Sequence, residues 1–296
     1  MDIQLDFSKQ ISDWAPEHIY KRFYEWFESH YSEHNVMWLN NSTPGVSKNP
    51  GGPGSPHIIT IKNLYNGKYI AVSYHDRAFD LYDSSWDGYG ELVQVITSCG
   101  LHHQDDDRFY TLYNSKKLTP FTYHCFDLSF EALAEKVRLP FKEKKDNGLH
   151  FRGRLYAQRL KLSHIAPDII MEDLINPLSY FLELNNSKIC LSLDGNGIIC
   201  NRDIEILSSG SVLLRPLLTQ KTHNELIPNI HYIAFDKVND DELQLEIIKQ
   251  KYEEIRYNDE LLETVAENGY KWYCENGTVD KNVDLLKELV DLTILI

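Results

Sequence analysis

Residues 189–197 read Ile189-Cys190-Leu191-Ser192-Leu193-Asp194-Gly195-Asn196-Gly197, and a helical stretch then runs to Gly210 before Val212-Leu213-Leu214. A short apolar run that stops at Asp-Gly-Asn-Gly is a strand ending in a turn. The segment from Asp203 to Ser208 predicts a helix, which Gly210 terminates, and Val212 to Leu214 predicts the next strand. The same texture continues on both sides. Upstream, Phe130 to Val137 reads as a helix and Lys142 to Asn147 as a charged connection. His150-Phe151 reads as a short strand leading into Arg152-Gly153. A helix over Asp173 to Leu184 contains Pro177, which kinks it or marks its start. Downstream, Ile230 to Phe235 reads as a strand. Leu245, Ile248, Tyr252 and Ile255 then share one helical face, and at least one more helix follows. Strands alternating with helices imply an α/β fold with a parallel sheet covered by helices.

The N-terminal part is less regular. Glu17 to Phe27 carries apolar side chains at helical spacing, and Asn40 to Pro56 is a Gly- and Pro-rich loop of a length suited to a lid or rim. Short β-like runs follow at Ile58–Ile61, Tyr69–Val72 and Leu92–Ile96. A chain of 296 residues accommodates two domains, expected here at residues 1–127 and 128–296, with a cleft between them.

Thirty Lys and Arg against 44 Asp and Glu leave a formal charge of −14, which argues against a nucleic-acid partner or a polybasic membrane attachment. The hydrophobic fraction of 42% excludes wholesale disorder. No run of about 18 apolar residues suggests a membrane span. The N-terminus lacks the basic start and apolar run of a signal peptide, and the five cysteines are widely spaced with no Cys-x-x-Cys pair. These features predict a cytoplasmic protein with reduced thiols.

In open parallel sheets, ligands sit at the carboxyl ends of the strands. Three segments put polar residues or glycines there. Phe151-Arg152-Gly153-Arg154, with Arg159 downstream, offers backbone amides and guanidinium groups to a phosphate. The same spacing also suits a surface loop whose arginines confer solubility. Asp194-Gly195-Asn196-Gly197, with Arg202 at the following helix start, can wrap a ligand at a positive helix end, or form a tight turn in which Asp194 caps locally. It fits neither the Walker loop nor the dinucleotide fingerprint. Ile70 to Val72 leads into Ser73-Tyr74-His75-Asp76-Arg77, with Asp80, Asp83 and Asp87 in the next loop. Asp76 there is either a functional carboxylate or a strand-end cap paired with Arg77. Asp105-Asp106-Asp107, near His102-His103, reads as a solvated acidic loop rather than a metal site.

Together these segments resemble the protein O-glucosyltransferases and their capsule-associated relatives, glycosyltransferase family 90. The resemblance spans roughly residues 148 to 275. It rests on Phe151-Arg152-Gly153 with Arg159, on Asp194-Gly195-Asn196-Gly197 and Arg202, and on Ser209-Gly210-Ser211 leading into Val212. It continues through Ile227-Pro228-Asn229-Ile230-His231-Tyr232-Ile233 and Val265-Ala266-Glu267-Asn268-Gly269. Two departures stand out: the interval from Asp194 to Arg202 is one residue longer than the family pattern, and Arg154 replaces a small hydroxyl residue.

What the resemblance implies is a GT-B architecture of two Rossmann-like domains. The 128–296 domain would bind a UDP-sugar, through Arg152, Gly153, Arg159, Asp194, Gly195, Asn196, Gly197, Arg202, Ser209, Gly210 and Ser211. The 1–127 domain would bind a glycan acceptor, near His75, Arg77 and Asp80. The implied reaction is an inverting transfer of xylose or glucose to a glycan hydroxyl, with Asp76 as general base and no metal or other cofactor. A non-catalytic nucleotide- or glycan-binding module of the same fold is the alternative. A nucleotide-sugar-dependent hydrolase or phosphorylase is a third possibility.

Overall fold

The computed structural model describes residues 3–6, 36–39, 58–63, 67–73, 91–97 and 118–120, together with helical residues Arg22, Glu25, Trp26, Ser29 and His30. From 128 to 294 it describes all but 154, 156–157, 171–174, 195–198 and 220–221. The Asn40 to Pro56 loop and the Asp105 triplet lie outside these residues, as does most of the expected Glu17 to Phe27 helix. Two compact units emerge: residues 1–126 with 220–224 and 279–296, and residues 127–219 with 225–278. The last helix therefore belongs with the N-terminal unit, whereas a continuous 128–296 domain was expected from sequence.

The first unit holds a six-stranded sheet in the order β2-β1-β3-β4-β5-β6. Its strands are β1 (Ile3–Asp6), β2 (Val36–Leu39), β3 (Ile58–Asn63), β4 (Lys68–Ser73), β5 (Glu91–Thr97) and β6 (Leu118–Pro120). This sheet is mixed rather than parallel throughout: β3 runs antiparallel to both β1 and β4, and the other neighbours are parallel. Only residues 64–67 separate β3 from β4, with Gly67 at φ +71°, and a connection that short can only return the chain antiparallel. The C-terminal helix α7 (Val279–Ile294) packs on β4 and β5, burying Val279, Val283 and Leu286.

The second unit is a parallel three-stranded sheet in the order β7-β8-β9, formed by Ile189–Leu191, Val212–Pro216 and Ile233–Phe235. Residues 145–150 extend it at the β7 edge through parallel bridges Lys145 to Ser187 and His150 to Cys190. Around it lie α1 (Leu128–Val137), α2 (Gln158–Ile165), α3 (Pro177–Asn186), α4 (Asn201–Ser209), α5 (Asp241–Ile255) and α6 (Asp259–Trp272). The strands are buried on both faces, which explains why they read as continuous apolar runs.

Local chemistry sets the helix limits. Pro177 begins α3 rather than kinking it, with Asn176 accepting from the Ser179 amide at 3.0 Å. Asp240 and Asn258 cap α5 and α6 in the same way. Gly210 ends α4 at φ +68°, a left-handed conformation that glycine adopts without steric cost. Ile230 is not in a strand, because Ile227 to His231 form a turn in which Asn229 has φ +60°. That turn presses on α6, where a β-carbon at Gly269 would lie 2.6 Å from the His231 carbonyl oxygen and 2.8 Å from Leu207 Cδ2.

Backbone cannot yield as a flexible side chain does, so Gly269→Ala is expected to lower unfolding free energy by about 2–3 kcal/mol in urea denaturation.

Candidate functional site

The carboxyl edge of the second sheet gathers residues from all three strands and from the start of α4. After β7, the Leu193 carbonyl accepts from Arg159 Nε at 3.1 Å and also from its Nη2. Arg159 belongs to α2, is 5% exposed, and places a further N–H 3.4 Å from Cys200 Sγ. At the start of α4 the Cys200 amide donates to Asp203 Oδ2 at 2.8 Å, so a carboxylate already sits on the positive helix end. Arg215, in β8 and 1% exposed, pairs with Asp203 and reaches Asp194 Oδ1 at 3.2 Å. Lys237, just past β9, meets the other oxygen of Asp194 at 2.6 Å. Gln158 ties α2 to the same loop by donating to the Val238 carbonyl at 3.3 Å.

Arg215 and Lys237 were not among the residues singled out from sequence. The signal was present in each case: a cation at the end of an apolar strand, in Leu213-Leu214-Arg215 and in Ile233-Ala234-Phe235-Asp236-Lys237.

Arg152 and Arg202 form a second cluster, shared by the sheet edge, α3 and α4. Arg202 is 5% exposed. Its Nε donates to the Leu191 carbonyl at 2.7 Å, and one terminal nitrogen donates to the Arg152 carbonyl at 2.6 Å and the Tyr180 hydroxyl at 3.0 Å. The other reaches the His150 carbonyl at 3.2 Å and His150 Nδ1 at 3.3 Å. A guanidinium has five N–H groups, and this arrangement directs all five at protein acceptors. The sequence expectation of Arg202 as a phosphate ligand thus meets a side chain engaged in holding the edge segment to β7, α3 and α4. Arg152 in turn makes a two-point pair with Glu183, at 2.7 and 3.1 Å. Phe151 lies under both Arg159 and Arg202, at 5.8 and 4.7 Å from its ring centre, so one buried ring links the two clusters.

Because Arg202 can only donate, His150 Nδ1 accepts and its proton sits on Nε2, 3.2 Å from Glu183 Oε2. Burial, with the Arg202 charge adding to it, pushes the His150 imidazole down to about 4. Burial would raise the Glu183 carboxyl, but hydrogen bonds from Arg152 and His150 outweigh it and hold that group below its ordinary value. Tyr180 donates to Glu205 at 2.6 Å, and burial raises both groups.

Ser209, Gly210 and Ser211 lie at the other end of α4, at the start of β8. Ser209 Oγ donates to the Ile206 carbonyl at 2.7 Å, and Ser211 Oγ lies 2.8 Å from the carbonyls of Leu184 and Ser187. A helix that connects two parallel strands has its start at one sheet edge and its end at the other, so these residues do not join Asp194. Gly153 stands just beyond the edge segment and is half-buried. Gly195, Asn196 and Gly197 lie outside the described residues, as do Arg154, His75, Asp76, Arg77, Asp80, Asp83 and Asp87. A cavity of about 430 Å³ opens beside the edge segment and α3, lined by Lys145, Leu149, His150, Asp168, Glu183 and Asn186. Asp194, Arg159 and Lys237 do not line it. Among the described residues no cluster of three His, Cys, Asp or Glu could hold a metal ion, and no helix is long and apolar enough to cross a membrane.

The fold is α/β and GT-B-like. A solved glycosyltransferase from Rickettsia africae is similar over nearly the whole length, with a TM-score of 0.52, 9% identity, and coverage of 98% of this chain and 97% of that one. Two further structures are partial likenesses. The pneumococcal O-GlcNAc transferase GtfA, solved with UDP and GlcNAc, has a TM-score of 0.42 at 12% identity and covers 68% of this chain and 53% of its own. A sucrose-phosphate synthase from Thermosynechococcus elongatus has a TM-score of 0.39 at 12% identity, covering 69% and 53%. No model of a known protein family matches the sequence, and no curated protein matches it.

Two outcomes are expected here. Arg202→Ala lowers unfolding free energy by about 3–5 kcal/mol, because it takes the guanidinium donor away from the Leu191 and Arg152 carbonyls and the Tyr180 hydroxyl at a buried site. His150 is held neutral by the fold, so the unfolded chain binds its proton first as pH falls. Stability at His150 is therefore full above about 6.5 and declines toward about 4, by roughly 3 kcal/mol. Comparing acid unfolding of the wild type with His150→Gln isolates that decline.

Proposed function

We propose that this protein is an inverting glycosyltransferase of the family 90 kind, moving xylose or glucose from a UDP-sugar to a glycan hydroxyl without a metal. One observation carries the reading: in a chain with a glycosyltransferase fold over its whole length, the Asp194 loop, the start of α4 and basic side chains meet at the carboxyl edge of β7, β8 and β9. That edge is where open α/β sheets bind nucleotides.

In this reading the unit of residues 127–219 and 225–278 binds the donor, and the N-terminal unit binds the acceptor. Arg159 and the loop from Asp194 to Gly197 contact the nucleotide-sugar. Gly153 lets the backbone beyond the edge segment approach it, while Arg152 and Arg202 hold that segment in place. Transfer is a single displacement. The acceptor oxygen attacks the anomeric carbon, the bond from that carbon to the β-phosphate oxygen breaks, and the acceptor proton passes to Asp76. Negative charge then accumulates on the departing UDP. Preorganised donors at such a charge each contribute about 3–4 kcal/mol to the transition state. His75, Arg77 and Asp80 orient the acceptor beside the base. Asp76 accounts for the proton because an alcohol cannot attack while it keeps it, and a carboxylate is suited to taking it as the bond forms.

Isothermal titration with UDP, UDP-xylose, UDP-glucose and GDP-mannose, with and without EDTA, tests the reading. The expected result is binding of UDP and one UDP-sugar, unchanged by EDTA. Asp76→Asn should keep that binding and lose at least 100-fold in transfer, the scale of general-base catalysis. Absence of binding to every nucleotide would overturn the proposal.

A further inference from the structure

The carboxyl edge of the second sheet contains more cations than its folded contacts hold firmly, and they differ in freedom. Arg215 is 1% exposed, engaged with Asp203, Asp194 and the Pro216 carbonyl. Arg159 is 5% exposed and directed at the Leu193 carbonyl and Cys200. Lys237 is different: its side chain is 50% exposed, and the contact described for it is the carboxylate of Asp194. Asp194 is 16% exposed and held by two cations at once, one buried and one half-exposed.

We propose that Lys237 is the residue that takes the diphosphate of the donor, by exchanging Asp194 for a phosphate oxygen. This rests on the donor-site reading above and adds to it a residue and a rearrangement. The exchange is favourable on three counts. An ion pair with a half-exposed lysine contributes little, so breaking it is easy. Asp194 is not left unpaired, because Arg215 stays on its other oxygen at 3.2 Å. A lysine has a flexible stem and three donors, so its ammonium can follow a phosphate while the Arg215 guanidinium stays on its carboxylates.

The charges point the same way. Arg215 and Lys237 pair with Asp194 and Asp203, so among these four described groups the charges balance without ligand. When a diphosphate arrives, Lys237 transfers its charge from the protein to the ligand. Asp194 thus serves as a resident counter-ion that keeps Lys237 at the mouth of the site until an anion replaces it.

The test compares UDP with uridine, since only UDP carries phosphates. Titrations use the full-length protein as wild type, Lys237→Met and Lys237→Arg, at two salt concentrations. Lys237→Met is expected to weaken UDP about tenfold, leave uridine unchanged and flatten the salt dependence of UDP binding, while Lys237→Arg restores most of the loss. Circular dichroism and the thermal midpoint should match wild type, as befits a half-exposed side chain. If wild type binds UDP and Lys237→Met binds it equally well, Lys237 does not take the phosphates and the inference fails while the donor-site reading stands. If both UDP and uridine weaken together, Lys237 shapes the pocket rather than contacting phosphate, and the inference fails again. If wild type binds neither, the donor-site reading itself fails.

Discussion

The second unit depends on where the Arg202 guanidinium goes. Three elements far apart in sequence, the segment at residues 150–152, strand β7 and helix α3, meet at carbonyls and a hydroxyl that its five N–H groups satisfy. A buried carbonyl without a partner costs about 1–3 kcal/mol; the Leu191 and Arg152 carbonyls take Arg202 as donor here, while the His150 carbonyl also accepts from the Leu191 amide at 2.8 Å. A lysine could not replace it, since its three donors radiate from one point and cannot reach acceptors on two sides of a plane. The edge segment needs such an anchor because the bridge between it and β7 is an isolated one, His150 to Cys190, rather than a full ladder.

Fixing that segment has consequences beyond it. Phe151, fully buried, sits between Arg202 and Arg159 and passes the constraint from the α3 side of the sheet to the α2 side. Arg159 then meets the Leu193 carbonyl, immediately before Asp194. The edge is in this way braced from behind by buried charges and hydrogen bonds. Asp203 completes the brace by capping α4 and pairing with Arg215, although its Oδ1 is buried without a hydrogen-bond partner. Buried pairs of this kind contribute little net stability, because desolvation offsets the attraction, but removing one partner is costly. They hold geometry more than they add stability.

Much of this was legible before any coordinates. Much of the strand and helix order of the second unit followed from apolar runs bounded by glycines and polar caps, since those signals act over a few residues, although helix α2 was not read. Gly210 ended α4 as expected, and Pro177 proved to be a start. Strands β1, β2 and β6 were not read from the sequence. The mixed direction of the first sheet and the placement of α7 with it were also illegible, since strand direction and helix partners depend on contacts between distant residues.

The candidate site divides along the same line. Sequence determined which chemistry was on hand: glycines after β7, a helix start at Arg202, and arginines at 152, 159 and 202, all local properties of composition and spacing. Which of those groups face one another was decided only by tertiary structure. It placed Arg202 against backbone carbonyls, put Ser209 to Ser211 at the opposite end of α4, and brought Lys237 across 43 residues to Asp194. Side-chain identity is written in the chain one position at a time. A hydrogen-bond partner is settled only when the sheet closes and each buried polar group must find whichever acceptor the fold has brought within reach.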